Sequence, residues 1–241
     1  MVFHQWQNIM SRMLSSQCGL CHFPLHTSQP SNPLNWCQHC INYLTVVKRC
    51  SRCGLALSPY DAEYSEQCGQ CLAEPPPWQR LYTLGDYDFP LSGHIQRFKD
   101  HGEMWQVNAL TQLLAERIEQ PAPLITYVPL HWQRYLTRGF NQSHLLAQHL
   151  AKHLQVKLGT RVFRRVKNSP PQRGSNKDNR QNNLHQAFIL PRKLPATHVA
   201  IVDDVVTTGS TVRQLSNLLL EVGVESIDIY CICRTPDPRS L

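Results

Sequence analysis

The run His198-Val199-Ala200-Ile201-Val202 is an apolar strand that leads into two acids, Asp203 and Asp204, and then through Val205-Val206 into a hydroxyl-rich loop, Thr207-Thr208-Gly209-Ser210-Thr211. The backbone N–H groups of such a loop, and of the helix it opens into, make an anion pocket, with the hydroxyls of Thr207, Thr208, Ser210 and Thr211 as further donors. Phosphate is the natural guest. Two adjacent carboxylates at the rim do not favour that phosphate directly; they suit hydrogen bonds from sugar hydroxyls, or Mg²⁺ held through water. Phosphate beside a diol describes a ribose 5-phosphate. A Walker A loop is excluded, because no G-x-x-x-x-G-K-[ST] occurs.

Metal chemistry is written at the other end of the chain. Eight of the ten cysteines form four C-x-x-C pairs, Cys18/Cys21, Cys37/Cys40, Cys50/Cys53 and Cys68/Cys71. Two residues between thiolates let both sulfurs reach one ion, and gaps of 15 and 14 residues between successive pairs suit a ribbon closing a tetrahedral Cys₄ site. Two structural zinc ions follow. Serial pairing joins Cys18/Cys21 to Cys37/Cys40 and Cys50/Cys53 to Cys68/Cys71, while an interleaved cross-brace satisfies the same spacings. Four protein ligands close a site to chemistry, so these ions hold fold. His22 and His39 lie at the knuckles, and with four cysteines for each ion they are expected to face solvent. A disulfide framework does not space its cysteines this way in a reducing compartment, and no strong strand precedes a pair as a thioredoxin-like motif requires. Cys231 and Cys233, in IDIYCICRT, read as small apolar residues of a buried strand.

These residues need a scaffold. With 241 residues, 41% of them hydrophobic, the chain suits one large or two small domains with real cores, and disordered and fibrous classes are excluded. No apolar run approaches the ~20 residues that cross a bilayer, so no transmembrane segment is expected. The first residues lack a basic n-region; Phe3, Trp6, Ile9, Met10, Met13 and Leu14 are spaced as one face of a docking helix, and a cytoplasmic protein is expected. Pro75-Pro76-Pro77 marks a boundary, giving residues 1–77 to the helix and ribbons and 78–241 to a second domain. There the pattern predicts strands at 81–87, 124–128, near 161–166, 187–190, 198–202 and 226–233. Helices are predicted through Ile95 and Phe98 as far as Gly102, then over 103–119, 142–153 and 210–222. That alternation is the signature of an α/β fold, a parallel-rich sheet flanked by helices, which binds ligands beyond the carboxyl ends of its strands.

The acidic pair followed by T-T-G-S-T resembles the phosphoribosyl-pyrophosphate motif of type I phosphoribosyltransferases. The resemblance widens to nearly the whole chain. Val128-Pro129-Leu130 with Arg134 and Arg138-Gly139-Phe140-Asn141-Gln142, the cysteine pairs, PPPWQR, Phe98-Lys99 and Arg180…Asn183…Ala187-Phe188 are similar to the ComF/GntX family, and within it to the GntX branch. That family joins a double zinc ribbon to a phosphoribosyltransferase-like domain and is linked to natural competence and use of external DNA. The resemblance implies that Asp203 and Asp204 contact the ribose hydroxyls, that Thr207, Thr208, Gly209, Ser210 and Thr211 cradle the 5-phosphate, and that Arg134 and Arg138 bind pyrophosphate. It also implies a mobile loop over residues 168–180, whose Lys177 and Arg180 are the candidate catalytic cations. By their own chemistry, Asn141 can cap the helix after it and Phe140 can staple that helix.

The net charge of +7 is local: residues 155–193 carry ten Lys and Arg against one Asp. Such a stretch attracts polyanions or serves as a solvated loop. Three functions follow. The first is a Mg²⁺-dependent phosphoribosyltransferase in which a base or amine displaces pyrophosphate. The second is a single-stranded DNA-binding competence protein acting beside DNA-uptake proteins, with Arg164, Arg165 and Lys167 on the phosphates. The third is an adaptor gripping another protein through the ribbons, where Trp36 and Tyr43 serve either a partner or the ribbons' own core.

Overall fold

The structure is a computed structural model and describes residues 17–25, 36–45, 47–101, 107–130, 139–165, 188–190 and 194–236. The amino-terminal docking helix and the 168–180 loop expected from the sequence lie outside these residues, as do Arg134, Arg138, Lys177 and Arg180.

Helices α1 (Gln38–Thr45), α2 (Pro59–Tyr64) and α3 (Gly69–Ala73) belong to the cysteine-rich part. Strand β1 (Arg80–Asp86) follows, then α4 (Leu91–His101), α5 (Val107–Glu116), β2 (Leu124–Tyr127), α6 (Gln142–His153) and the short β3 (Lys157–Leu158). A two-residue antiparallel pair, β4 (Arg164–Arg165) with β5 (Phe188–Ile189), stands apart from the main sheet. The chain then runs through β6 (His198–Val206), α7 (Ser210–Glu221) and β7 (Ser226–Arg234). The main sheet is parallel throughout, in the order β1-β7-β6-β2-β3.

Parallel strands covered on both faces read as continuous apolar runs. One face of the sheet packs Ala200, Val202, Tyr230 and Ile232 against α4, α5 and α6, through side chains such as Ile95, Phe98, Leu110, Leu114, Leu146 and Leu150. The opposite face packs Val199, Ile201, Ile227 and Ile229 against Val212, Leu215 and Leu219 of α7. Cys231 and Cys233 are fully buried in β7, and burial pushes the Cys231 thiol up to about 12. Most element ends fall within a residue or so of the sequence expectation, and two differ by more in ways that bear on the site. The strand begun at His198 does not stop at Val202 but continues to Val206, pairing with β7 along its length, so both acids lie inside it. The helix predicted over 103–119 is described from Val107 and closes at Glu116.

The cysteine-rich part is fastened to β1. Leu20, Trp36 and Leu44 join the same apolar cluster as Leu84 and Leu91. Arg117 donates to the carbonyls of Thr83 (2.7 Å) and Leu84 (3.0 Å) and to that of Leu44, and Arg49 pairs with Asp86 at 2.8 Å. Gly54 takes a left-handed φ of +73°, and a Cβ there would come within 2.4 Å of Leu81 Cδ2, so the Cys50–Cys53 knuckle closes tightly on β1 only because this residue lacks a side chain.

Candidate functional site

Strand β6 ends at Val206 and α7 starts at Ser210, leaving three residues to turn the chain. Gly209 makes the turn with φ +77°, and a Cβ there would lie 3.4 Å from Cη2 of the buried Trp78. Thr208 Oγ1 accepts from the Ser210 N–H at 3.3 Å and donates to Ser210 Oγ at 3.2 Å, which holds the loop in shape. The first N–H groups of a helix have no partner within it, and the helix dipole adds positive potential at that end. A cleft of about 30 Å³ is bordered here by Asp203, Thr207, Gly209, Ser210 and Thr211. The first acid and the hydroxyl loop therefore share one cleft at the carboxyl end of a central parallel strand, where ligands of such sheets bind.

The two acids have separate partners. Asp203 Oδ1 accepts from Ser143 Oγ at 3.0 Å and from the Asp204 N–H at 3.0 Å. Burial, and then the neighbouring Asp204 charge, push the Asp203 carboxyl up to about 7, against the hydrogen bonds and the Lys99 charge. Asp204 is buried, and its Oδ2 lies 2.9 Å from Lys99 Nζ on α4. Both partners arrive from the elements that cover this sheet face. Asn141 caps α6 by accepting from the His144 N–H (3.3 Å) while donating to the Val128 carbonyl (3.1 Å), which fixes Ser143 beside the end of β2. Phe140 packs its ring 5.6 Å from that of Phe98 on α4.

The paired cysteines converge in two groups, Cys18/Cys21/Cys37/Cys40 and Cys50/Cys53/Cys68/Cys71, with the thiols of each within 4.8 Å of one another. The serial pairing is thus the one adopted. Tetrahedral zinc with bonds of about 2.3 Å places its sulfurs roughly 3.8 Å apart. Cys18 and Cys40, and Cys21 and Cys37, are separated by 3.8 Å, and Cys53 and Cys68 by 3.7 Å, so the donor set fits zinc. All ten cysteines are thiols. In the second group a hydrogen bond from Cys53 holds the Cys50 thiol down at about 4 against burial, with the Cys68, Cys53 and Arg52 N–H groups assisting. His39 is exposed and His22 partly buried, and neither belongs to the two groups.

Four site residues were not singled out by sequence reasoning: Lys99, Ser143, Trp78 and Arg234. Lys99 and Trp78 stand in short family-like runs, and Ser143 follows RGFNQ, yet none carries a motif's chemistry in its own spacing. Arg234 ends β7 and donates to the carbonyls of Cys53 (2.9 Å), Val206 (3.0 Å) and Thr207. On the far side of the loop from Asp203 lies a larger cavity of about 570 Å³, lined by Trp78, Thr208, Arg213 and Arg234 on one side and by Cys53 and Cys71 on the other.

Residues 141–241 match the family model of the phosphoribosyl transferase domain. The chain is 35% identical over 237 residues to Competence protein F of Haemophilus influenzae, covering 93% of this chain and all of that protein. It is 37% identical over 231 residues to DNA utilization protein YhgH of Escherichia coli K12, covering 90% of this chain and 96% of that one. A purine phosphoribosyltransferase structure from Pyrococcus horikoshii aligns with 20% identity and a TM-score of 0.36, over 54% of this chain and 83% of that one. No helix among the described residues is long and apolar enough to cross a membrane.

Proposed function

The chain belongs to the family of Competence protein F and DNA utilization protein YhgH, and from that premise we propose that its carboxyl-terminal part binds phosphoribosyl pyrophosphate with Mg²⁺, as a protein of DNA uptake or utilisation of external DNA. The observation that carries the reading is the cleft that Asp203 shares with Thr207, Gly209, Ser210 and Thr211. The loop and helix N–H groups take the 5-phosphate, with the hydroxyls of Thr207, Thr208, Ser210 and Thr211 around it. Asp203 accepts from a ribose hydroxyl. Asp204, already neutralised by Lys99, keeps the strand end from repelling a polyanion. Both acids are oxygen donors of the kind Mg²⁺ takes through water, and the ion would neutralise pyrophosphate oxygens.

Arg134 and Arg138 hold the pyrophosphate end in this reading, since a guanidinium offers a planar fork to phosphate oxygens. Lys177 and Arg180 close over the same end, placing cations where the leaving group gains charge. In this reading the protein acts in the cytoplasm and is related to the GntX branch. Calorimetry of the full chain with phosphoribosyl pyrophosphate and Mg²⁺ tests this: saturable binding is expected, weakened at least tenfold in Thr208→Val or Asp203→Asn, and no heat at millimolar ligand would overturn it.

A second reading is favoured by the names of the relatives together with the basic 155–193 stretch: single-stranded DNA along Arg164, Arg165 and Lys167, beside DNA-uptake proteins. Binding would fall steeply with salt and weaken when these three residues become Ala, and salt-independent binding would reject it.

A further inference from the structure

Three successive carbonyls of the Cys50–Cys53 knuckle are each held by a donor from outside the knuckle. Ser51 O accepts from the Leu81 N–H at 2.8 Å, Arg52 O from Trp78 Nε1 at 2.6 Å, and Cys53 O from Arg234 Nε at 2.9 Å. The first two peptides lie between Cys50 and Cys53 and the third leaves Cys53 itself, so an ion in the Cys50/Cys53/Cys68/Cys71 group would fix their direction.

Two of the three donors also shape the phosphate loop. The guanidinium of Arg234 reaches the carbonyls of Val206, at 3.0 Å, and Thr207. In a trans peptide the C=O and the following N–H point in opposite directions, so fixing those two carbonyls aims the N–H groups of Thr207 and Thr208 away from Arg234. The Trp78 ring lies under Gly209, and the Arg213 guanidinium sits 5.6 Å from its centroid. The first cysteine group is placed differently. Its Leu20 carbonyl accepts from Arg97 of α4 at 3.4 Å, and its Leu44 packs with Leu84 and Leu91 in one apolar cluster, whereas Trp78 packs with Val212 in the other.

We infer that Arg234 and Trp78 are positioning residues that make the order of the 207–211 loop depend on metal loading of the second cysteine group and not of the first. The inference rests on the phosphate-cradle reading for its consequence, that ligand affinity follows occupancy of one of the two metal sites. The linkage itself rests on the hydrogen bonds alone.

Zinc content by mass spectrometry and amide order parameters by NMR, measured on the full chain, test it. Cys53→Ser and Cys21→Ser should each retain one zinc. In Cys53→Ser the order parameters of 207–211 should fall from about 0.85 to below about 0.6, with those of Cys21→Ser unchanged. Trp78→Phe, which keeps an aromatic side chain but loses the Nε1 donor and the outer part of the indole under Gly209, and Arg234→Met should keep both ions and still loosen the loop. Equal loosening in the two cysteine variants, or none in either, overturns the inference. If Cys53→Ser does not fold, Arg234→Met decides, and a rigid loop in that two-zinc variant overturns it. Failure of the wild-type chain to bind phosphoribosyl pyrophosphate would remove the proposed function and leave this order-parameter test intact.

Discussion

Lys99 Nζ sits 2.9 Å from Asp204 Oδ2, so the second acid of the β6 pair is neutralised by a cation brought from a helix that four strands, β2 to β5, separate from it in sequence. The pair is largely buried, and breaking it leaves an uncompensated charge. Lys99→Met should therefore cost about 3 kcal/mol or more in denaturant unfolding, and the double variant Lys99→Met/Asp204→Leu should recover much of that loss. Recovery in the double variant separates a charge effect from simple loss of packing.

Ligand binding should rise with pH through neutrality. Burial and the Asp204 charge push Asp203 up to about 7, so it is protonated below that value and becomes a full acceptor for a ribose hydroxyl above it. Affinity for phosphoribosyl pyrophosphate measured from about pH 6 to about pH 8 should increase and then level, and Asp203→Asn should flatten the profile. The same raised value means that the folded chain binds this proton more tightly than the unfolded one. Its contribution to stability is complete below the ordinary carboxylate range and is lost as pH climbs through about 7.

Gly209→Ala places a Cβ on a left-handed residue with Trp78 at 3.4 Å. A cost of about 1–2 kcal/mol in stability is expected from the backbone alone. Because Gly209 is the N-cap of α7, the first-turn N–H groups shift with it, and phosphate affinity should fall more than stability does. Thermal unfolding and calorimetry on one preparation measure both.

Asn141→Ala removes an acceptor for the His144 N–H and a donor to the Val128 carbonyl. Loss of the cap costs about 1 kcal/mol, with the second bond adding to it. Asn141→Asp keeps the cap and drops the donor, so its chemical-denaturation midpoint should fall between those of wild type and Asn141→Ala.

What could be read in advance follows from how locally each feature is encoded. Helix α6 lies at Gln142–His153 as predicted, because its cap and its apolar positions Leu146, Ala147 and Leu150 are all in the segment itself. The acids were expected beyond the end of β6, since charge normally closes an apolar run; pairing with β7 carries the strand on through them, and Lys99 neutralises one. Strand β3 has only two residues, too few for a period to register. The cysteine spacings allowed serial and cross-braced groups alike, and only the positions of the thiols decide between them. Trp78 and Arg234 escaped notice because their role lies in backbone carbonyls far away in sequence, which no side-chain pattern announces.

The most direct measurement is a crystal structure of the full chain soaked with phosphoribosyl pyrophosphate and Mg²⁺. The 5-phosphate should lie within hydrogen-bonding distance of the 208–211 N–H groups and a ribose hydroxyl beside Asp203, with the pyrophosphate reaching toward Arg134, Arg138 and the 168–180 segment. A ligand seated elsewhere, or a cleft left empty at saturating concentration, would contradict the assignment of this site.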